Sequence, residues 1–285
     1  MMRRYLVILM MPCFVMLFGI CCLAGCEGSR HHLKKVRLNE VAHSIFYAPQ
    51  YVAIEKGYFE KEGIKLELTT GFGADKTATA VISGDADIAF MGPEATIYQF
   101  NQGNADYLIN FAQLTQRAGN FVVSREKEDS FKWEDLKGKK VIGGRPGGMP
   151  EMVFEYVLKK HGMNPQKDIN LVQNIDFANT SGAFVSGEAD YTVEFEPAAT
   201  LIEEQGAGYV VASVGKESGY VPYTSYSVKK SYLKTHKELL EAFTRAIEKG
   251  QEYVNTNTPE QIAKIIAPQF KDTDRKTVEK IVERY

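Results

Sequence analysis

The sequence predicts an α/β protein of two similar lobes that face each other across a cleft, and three observations predict it. First, the chain repeats itself about a hundred residues apart: Val81-Ile82-Ser83-Gly84-Asp85-Ala86-Asp87-Ile88 is echoed by Phe184-Val185-Ser186-Gly187-Glu188-Ala189-Asp190-Tyr191, and Pro93-Glu94-Ala95-Thr96 by Pro197-Ala198-Ala199-Thr200. Second, a matching helix signature precedes each echo, with Pro49 opening and Gly57 closing in the first copy and Pro150 opening and Gly162 closing in the second. Third, the apolar pattern around each signature reads β-α-β-α-β, the order of an open parallel sheet. A period this long marks a duplicated lobe rather than a solenoid repeat.

The first lobe starts with the alternating strand Val36 to Val41 and the loop Ala42 to Ala48. A helix from Pro49 to Lys56 follows, with proline at its first position and glycine just past its end. Ile64 to Leu68 is the next strand, Thr70 to Lys76 a glycine-containing turn, and Asp87 to Met91 a third strand. Leu108 to Leu114 and Asn120 to Ser124 are two further strands, the second of which is expected to cross to the other lobe. Lys139 to Gly143 restarts the pattern, and its loop Gly144 to Met149 leads into the Pro150 helix, whose Met152, Val153, Tyr156 and Val157 share one face. Asn170 to Ile175, Ala189 to Phe195 and Tyr209 to Val214 complete the second sheet. Thr224 to Val228 is the expected return crossing, and the helices from Lys237 onward are expected to cover the first lobe. This assigns residues 36–122 and 224–285 to lobe 1, 123–223 to lobe 2, and a two-strand hinge between them, as closure over a ligand requires.

At the N-terminus, Arg3 and Arg4 precede an apolar run from Tyr5 to Cys22 that ends at Leu23-Ala24-Gly25-Cys26, the order of a signal peptide. The run is also about long enough to span a bilayer, so a retained anchor is the alternative. Leu-Ala-Gly-Cys is similar to the lipobox of bacterial lipoproteins. That resemblance implies a signal peptide over residues 1–25, lipidation of Cys26, and a protein held by lipid on the extracytoplasmic face of the cell membrane. Residues 26–35 read as a polar tether, with His31 and His32 taken as solvated linker in preference to a metal pair. At the other end, Val278, Ile281 and Val282 fall at helical spacing and the chain stops without a cap, an expectation that it continues beyond Tyr285.

All 4 cysteines lie in or at the end of the leader, so the mature domain is expected to hold no disulfide or cysteine metal site. Lys and Arg number 34 against 36 Asp and Glu, and loss of Arg3 and Arg4 makes the balance more acidic. That balance argues against a nucleic-acid partner. No cofactor or metal is expected, and the chain reads as a monomer.

Ligands of open α/β sheets bind beyond the carboxyl ends of the strands. The rule nominates the loops His43 to Tyr47, Gly71 to Lys76 and Met91 to Glu94 on one side, and Gly144 to Met149, Ile175 to Thr180 and Glu194 to Pro197 on the other. Phe46, Tyr47, Phe72, Phe177, Phe195 and Tyr223 are placed to stack on a flat ligand or to serve as core. The run Gly143 to Gly148, with Arg145 and Gly147, precedes a helix start whose free N–H groups favour an anionic or electron-rich ligand group. It lacks the lysine-serine ending of a phosphate loop, so a tight turn that lets a ligand approach backbone is the better reading. Glu194 and Glu196 share one side of a strand, where one of them would accept hydrogen bonds from an amino-substituted or cationic ligand, or lie at a solvated strand end. His43 is the one histidine in these loops, and a satisfied polar loop residue is its simplest role. The candidate ligand-binding set is therefore His43, Phe46, Tyr47, Phe72, Glu94, Arg145, Gly147, Phe177, Glu194, Glu196 and Tyr223. Catalytic motifs are missing: there is no Gly-x-Ser-x-Gly elbow, no His-Glu-x-x-His, and no cysteine nucleophile.

The run from Phe46-Tyr47-Ala48-Pro49 to Gly63-Ile64 closely resembles the opening of the SsuA/THI5-like (NMT1-like) family, as do Ser83 to Ile88, Leu136 to Val141 and Glu196-Pro197. These are solute-binding proteins of ABC importers for aliphatic sulfonates, taurine, nitrate and thiamine-pyrimidine precursors. The resemblance implies a type II periplasmic-binding-protein fold, a small-molecule ligand, and an ABC permease with its ATPase as partners. Fungal pyrimidine synthases of the family use a cysteine-rich motif that this chain lacks, so the resemblance implies a binder and not an enzyme. Phe195-Glu196-Pro197 stands where members often carry Trp-Asp-Pro, which leaves the ligand open between an aminopyrimidine-like heterocycle, slightly preferred, and a sulfonate, taurine or nitrate. An enzyme on the same fold, or a sensory lipoprotein, are the alternatives.

Overall fold

The computed structural model of the protein describes residues 33–285; the expected signal peptide, Cys26 and most of the expected tether lie outside them. The first sheet has the strand order β2-β1-β3-β10-β4, built from β1 (Lys34–Glu40), β2 (Ile64–Thr70), β3 (Ile88–Met91), β4 (Leu108–Thr115) and β10 (Thr224–Lys229). β1 runs parallel to β2 and β3, and β10 runs antiparallel to β3 and β4. The second sheet has the order β7-β6-β8-β5-β9, from β5 (Asn120–Ser124), β6 (Lys140–Ile142), β7 (Asn170–Val172), β8 (Tyr191–Phe195) and β9 (Tyr209–Ser213). Here β6 runs parallel to β7 and β8, and β5 antiparallel to β8 and β9. The two sheets thus have one topology. In each, the antiparallel fourth strand is supplied by chain arriving from the other lobe, so two crossings form the hinge.

The sequence echo has a physical cause. Gly84 at φ 92° and Gly187 at φ 98° occupy the left-handed region at the same point of each copy, where a side chain would be strained. The aspartate that follows each glycine then binds the neighbouring strand: Asp87 Oδ2 accepts the Arg37 N–H at 2.8 Å, and Asp190 Oδ2 accepts the Lys140 N–H at 2.8 Å. Gly-Asp/Glu-Ala-Asp therefore ends a helix and sets strand register twice. The strands it feeds, β3 and β8, are buried at nearly every residue, as befits parallel strands covered on both faces.

In the first lobe α1 (Ala48–Glu55) and α2 (Tyr58–Lys61) pack with α10 (Lys237–Thr256), α11 (Pro259–Ile266) and α12 (Arg275–Arg284) over Leu38, Phe90 and Tyr226. α3 (Ala74–Ser83) and α4 (Glu94–Asn101) cover the other face through Ala78, Val81 and Ala95. In the second lobe α5 (Met149–Lys160) packs Val153, Phe154 and Val157 against Val141 and Trp133. α6 (Thr180–Val185) and α7 (Ala198–Glu204) close its opposite face, and the short α8 (Val214–Ser218) and α9 (Lys230–Thr235) follow β9 and β10. Among the described residues no helix is long and apolar enough to cross a membrane.

Some expected boundaries move. Lys34 and Lys35, assigned to the tether, already pair with Ile64 and Lys65 in β1. The expected lobe change at residue 122 falls inside β5, and the outward crossing lies before Asn120. β7 stops at Val172 rather than Ile175, because Gln173 to Phe177 turn into the interlobe cavity.

Candidate functional site

The carboxyl ends of the parallel strands converge on a cavity of about 240 Å³ between the lobes. The volume is above the roughly 150 Å³ that takes benzene and below the ~300–1,000 Å³ of drug-sized sites, so it suits a solute of one substituted ring or similar size. Tyr47, Phe72, Glu94, Arg145, Phe177 and Tyr223 of the expected set line it, as does Phe195.

The first lobe contributes three loops. Ser44 caps a 3-10 turn, Ile45–Tyr47, by accepting the Phe46 N–H, and the turn delivers Tyr47 edge-on to Phe90 at 4.5 Å between ring centroids. After β2, Phe72 has φ 53°, the one non-glycine with positive φ among the described residues, and its ring remains 48% exposed. Strain of this kind persists where surrounding structure holds it, and it clusters at ligand clamps. After β3, Gly92-Pro93 leads into α4, and Glu94 folds its carboxylate back over Gly92, where a methyl group would overlap it.

Across the cleft, the helix start read from the sequence as a free anion site is already filled. The Met149 N–H donates to Glu94 Oε1 at 3.0 Å, and the Gly147 N–H donates to Glu151 Oε2 at 3.2 Å. The carboxylates that neutralise the N-terminus of α5 are the protein's own, one from each lobe. Glu94 Oε2 and the Tyr223 hydroxyl are buried and find no hydrogen-bond partner among the described residues. Burial pushes the Glu94 carboxyl above its ordinary range, against the opposing pull of the Met149 N–H and Arg145. Two further contacts cross the mouth: Arg145 lies 3.5 Å from Asp75, and the Tyr98 hydroxyl donates to the Gly147 carbonyl at 2.8 Å.

Five expected residues lie outside the lining. His43 turns away from the cavity, its Nδ1 2.7 Å from Glu40 and its Nε2 2.8 Å from the Gln269 carbonyl, the satisfied role set out for it. Phe46 plugs the hinge against Tyr285, Tyr223 and Phe195. Gly147 offers its carbonyl to Tyr98 beside the lining residue Gly148. Glu194 sits behind Thr180, bonded to the Thr192 and Thr180 hydroxyls, and burial pushes it up to about 7. Glu196 is buried against Thr200 and Arg284. Alternation along β8 does separate Glu194 from Phe195, and it is Val193 and Phe195 that face the cavity. Asp75, Gln173, Asp176 and Thr180 line it without having been singled out. The strand-end rule reaches all but Gln173, and β7 ending early accounts for that one.

Comparison with known proteins agrees with this architecture. Residues 45–262 match the model of the family described as NMT1/THI5 like. A relative from Bacillus subtilis (strain 168), named "Putative binding protein YtlA", is 49% identical over 273 residues, which cover 96% of this chain and 81% of the relative. Among solved structures, the periplasmic aliphatic sulphonate binding protein SsuA from Escherichia coli superposes with a TM-score of 0.70 at 16% identity, over 88% of this chain and 83% of that one. The periplasmic nitrate-binding protein NrtA from Synechocystis PCC 6803 superposes with a TM-score of 0.66 at 18% identity, over 82% and 66%. At these identities the superpositions establish the fold alone, that of periplasmic binding proteins.

Proposed function

The chain belongs to the NMT1/THI5-like family, and from that premise we propose that it is the solute-binding component of an ABC import system, closing its lobes over a small molecule and handing it unchanged to a permease driven by an ATPase. In this reading Cys26 carries a lipid that holds a monomeric receptor on the extracytoplasmic face of the membrane. Closure excludes water from the aromatic slot of Phe72, Phe177 and Phe195, and the few polar groups inside it choose the solute.

The observation that carries the ligand class is the buried, half-paired carboxylate of Glu94. A buried carboxylate oxygen left unpaired at the cavity wall favours a ligand that brings an N–H donor to it. A sulfonate or nitrate would instead place a second negative charge near it, a repulsion of about 4 kcal/mol for two unit charges ~4 Å apart at an effective dielectric near 20. The sole arginine of the lining, Arg145, faces Asp75, and Asp75, Glu94 and Asp176 outnumber Arg145 and Lys76 around the cavity. These features support an amino-substituted heterocycle such as an aminopyrimidine over an anion.

A thermal-shift series with aminopyrimidines, thiamine, ethanesulfonate, taurine and nitrate tests the proposal, since a ligand at a hundred times its Kd adds about 2.7 kcal/mol to stability. The expected result is an upward shift with aminopyrimidines. A shift confined to ethanesulfonate, taurine or nitrate would overturn the ligand class and leave the transport reading standing. Chemical alteration of a bound aminopyrimidine on long incubation would overturn the transport reading.

A further inference from the structure

Glu196 stands one residue beyond the cavity wall Phe195 and is fully buried, with each of its polar atoms engaged. Its carbonyl accepts the Ser44 hydroxyl at 2.6 Å, and its N–H approaches the Tyr285 hydroxyl at 3.4 Å. Oε1 accepts Arg284 Nη1 at 2.7 Å and the Thr200 hydroxyl at 2.9 Å, and Oε2 accepts the Thr200 N–H at 2.9 Å. Three of these partners, Ser44, Arg284 and Tyr285, come from the far side of the cleft. The helix that carries Arg284 belongs to the first lobe by packing, because Val278 and Ile281 of α12 are buried in that lobe's core.

The opposite face of α12 lies on the second lobe. Arg284 forks, its Nη2 reaching Glu203 at 2.6 Å while Nη1 holds Glu196. The Thr277 hydroxyl is 3.0 Å from Glu204, and Lys280 is 3.8 Å from Glu203. Tyr285 donates its hydroxyl to the Gly119 carbonyl at 2.7 Å, in the outward hinge crossing, and packs its ring on Phe46 and Phe121. On the other flank the lobes meet through Arg145 and Asp75, both about half exposed, and through Tyr98.

We propose that α12 and Tyr285 form a third connection between the lobes, and that Arg284 is a positioning residue which fixes the cavity wall Phe195 through Glu196. A buried carboxylate that loses its ionic partner is left uncompensated, and the backbone around it rearranges. With Arg284 gone, the turn after β8 keeps Thr200, Ser44 and the long contact to Tyr285 but loses its ionic partner, and Phe195 loses its fixed position. Lysine retains the charge and lacks the planar fork that serves Glu196 and Glu203 together. The α12 flank is then the pivot, and the lobes part on the Asp75–Arg145 side to admit solute.

Hydrogen exchange by mass spectrometry on the full unliganded chain, wild type beside R284M, R284K and E203Q, tests this without knowledge of the solute. In R284M, amides of residues 195–204 and 44–47 are expected to exchange about tenfold faster while those of 36–40 and 88–91 keep their protection, the pattern of a local opening. R284K should recover part of that protection, and E203Q, which loosens one arm of the fork, should show a smaller effect in the same segments. Unchanged exchange over 195–204 in R284M overturns the proposal. Acceleration spread evenly over both sheets also overturns it, because that pattern reports loss of the whole fold rather than of a connection. R284K indistinguishable from R284M would contradict the positioning role.

Discussion

Glu94 and Met149, on opposite lobes, are joined by a single hydrogen bond of 3.0 Å from the backbone N–H to the carboxylate, and this bond occupies the helix start that the sequence offers to a ligand. One residue thereby bridges the cleft, and its other oxygen, Oε2, lies buried over Gly92 without a partner among the described residues.

Glu94→Gln keeps the shape and removes the charge. A hydrogen bond to a charged group is worth about 1.5–3 kcal/mol, so binding of an aminopyrimidine should weaken roughly 10- to 100-fold in calorimetric titration. The Tm without ligand should change little by comparison.

Gly92→Ala tests the same geometry from the backbone side. The added methyl overlaps the Glu94 carboxylate and drives it off Met149. Affinity should fall about as far as in Glu94→Gln, whereas an unchanged Kd would mean that Glu94 does not bind in the conformation described.

Arg145→Ala separates the ligand classes. Its partner Asp75 is about half exposed and 3.5 Å away, and such pairs contribute about 0–1 kcal/mol. Aminopyrimidine binding should change less than about fivefold. A loss of two orders of magnitude would identify Arg145 as the anchor of an anionic ligand.

Two groups, the buried Glu194 and the half-buried His43, make stability fall as pH rises. Burial holds Glu194 near 7 against about 4.3 in an unfolded chain. Its proton-bound form stabilises the fold fully below the unfolded value, and that contribution is lost as pH rises through about 7, up to roughly 4 kcal/mol in all. Glu194→Gln should remove this dependence, leaving stability similar at pH 4 and higher than wild type at pH 8 in urea unfolding. His43 is opposed by burial, yet its bonds to Glu40 and to the Gln269 carbonyl raise it above 6.5. His43→Gln should therefore cost stability at pH 6 and progressively less as pH rises through the raised value.

The two-lobed plan was legible in the sequence because both Gly-Asp/Glu-Ala-Asp segments answer one local demand, a left-handed glycine and an aspartate that sets register. Phe72 and Phe177 were legible because the carboxyl ends of strands point at the cleft, whereas Tyr223 reaches the cavity from the start of antiparallel β10. Glu194 and Glu196 were not, since alternation along β8 tells which residues share a face but not which face turns to the cavity. The sequence also exposed a helix start at Met149 without showing that a carboxylate 55 residues earlier fills it. Such contacts depend on how the lobes meet, and neither local pattern nor period encodes that.

Paired calorimetric titrations of the wild-type chain with 4-amino-2-methylpyrimidine and with ethanesulfonate decide between the two ligand classes. Saturable one-to-one binding of the aminopyrimidine is expected, with no binding of the sulfonate at the same concentrations. Binding of the sulfonate with silence from the aminopyrimidine would contradict that expectation.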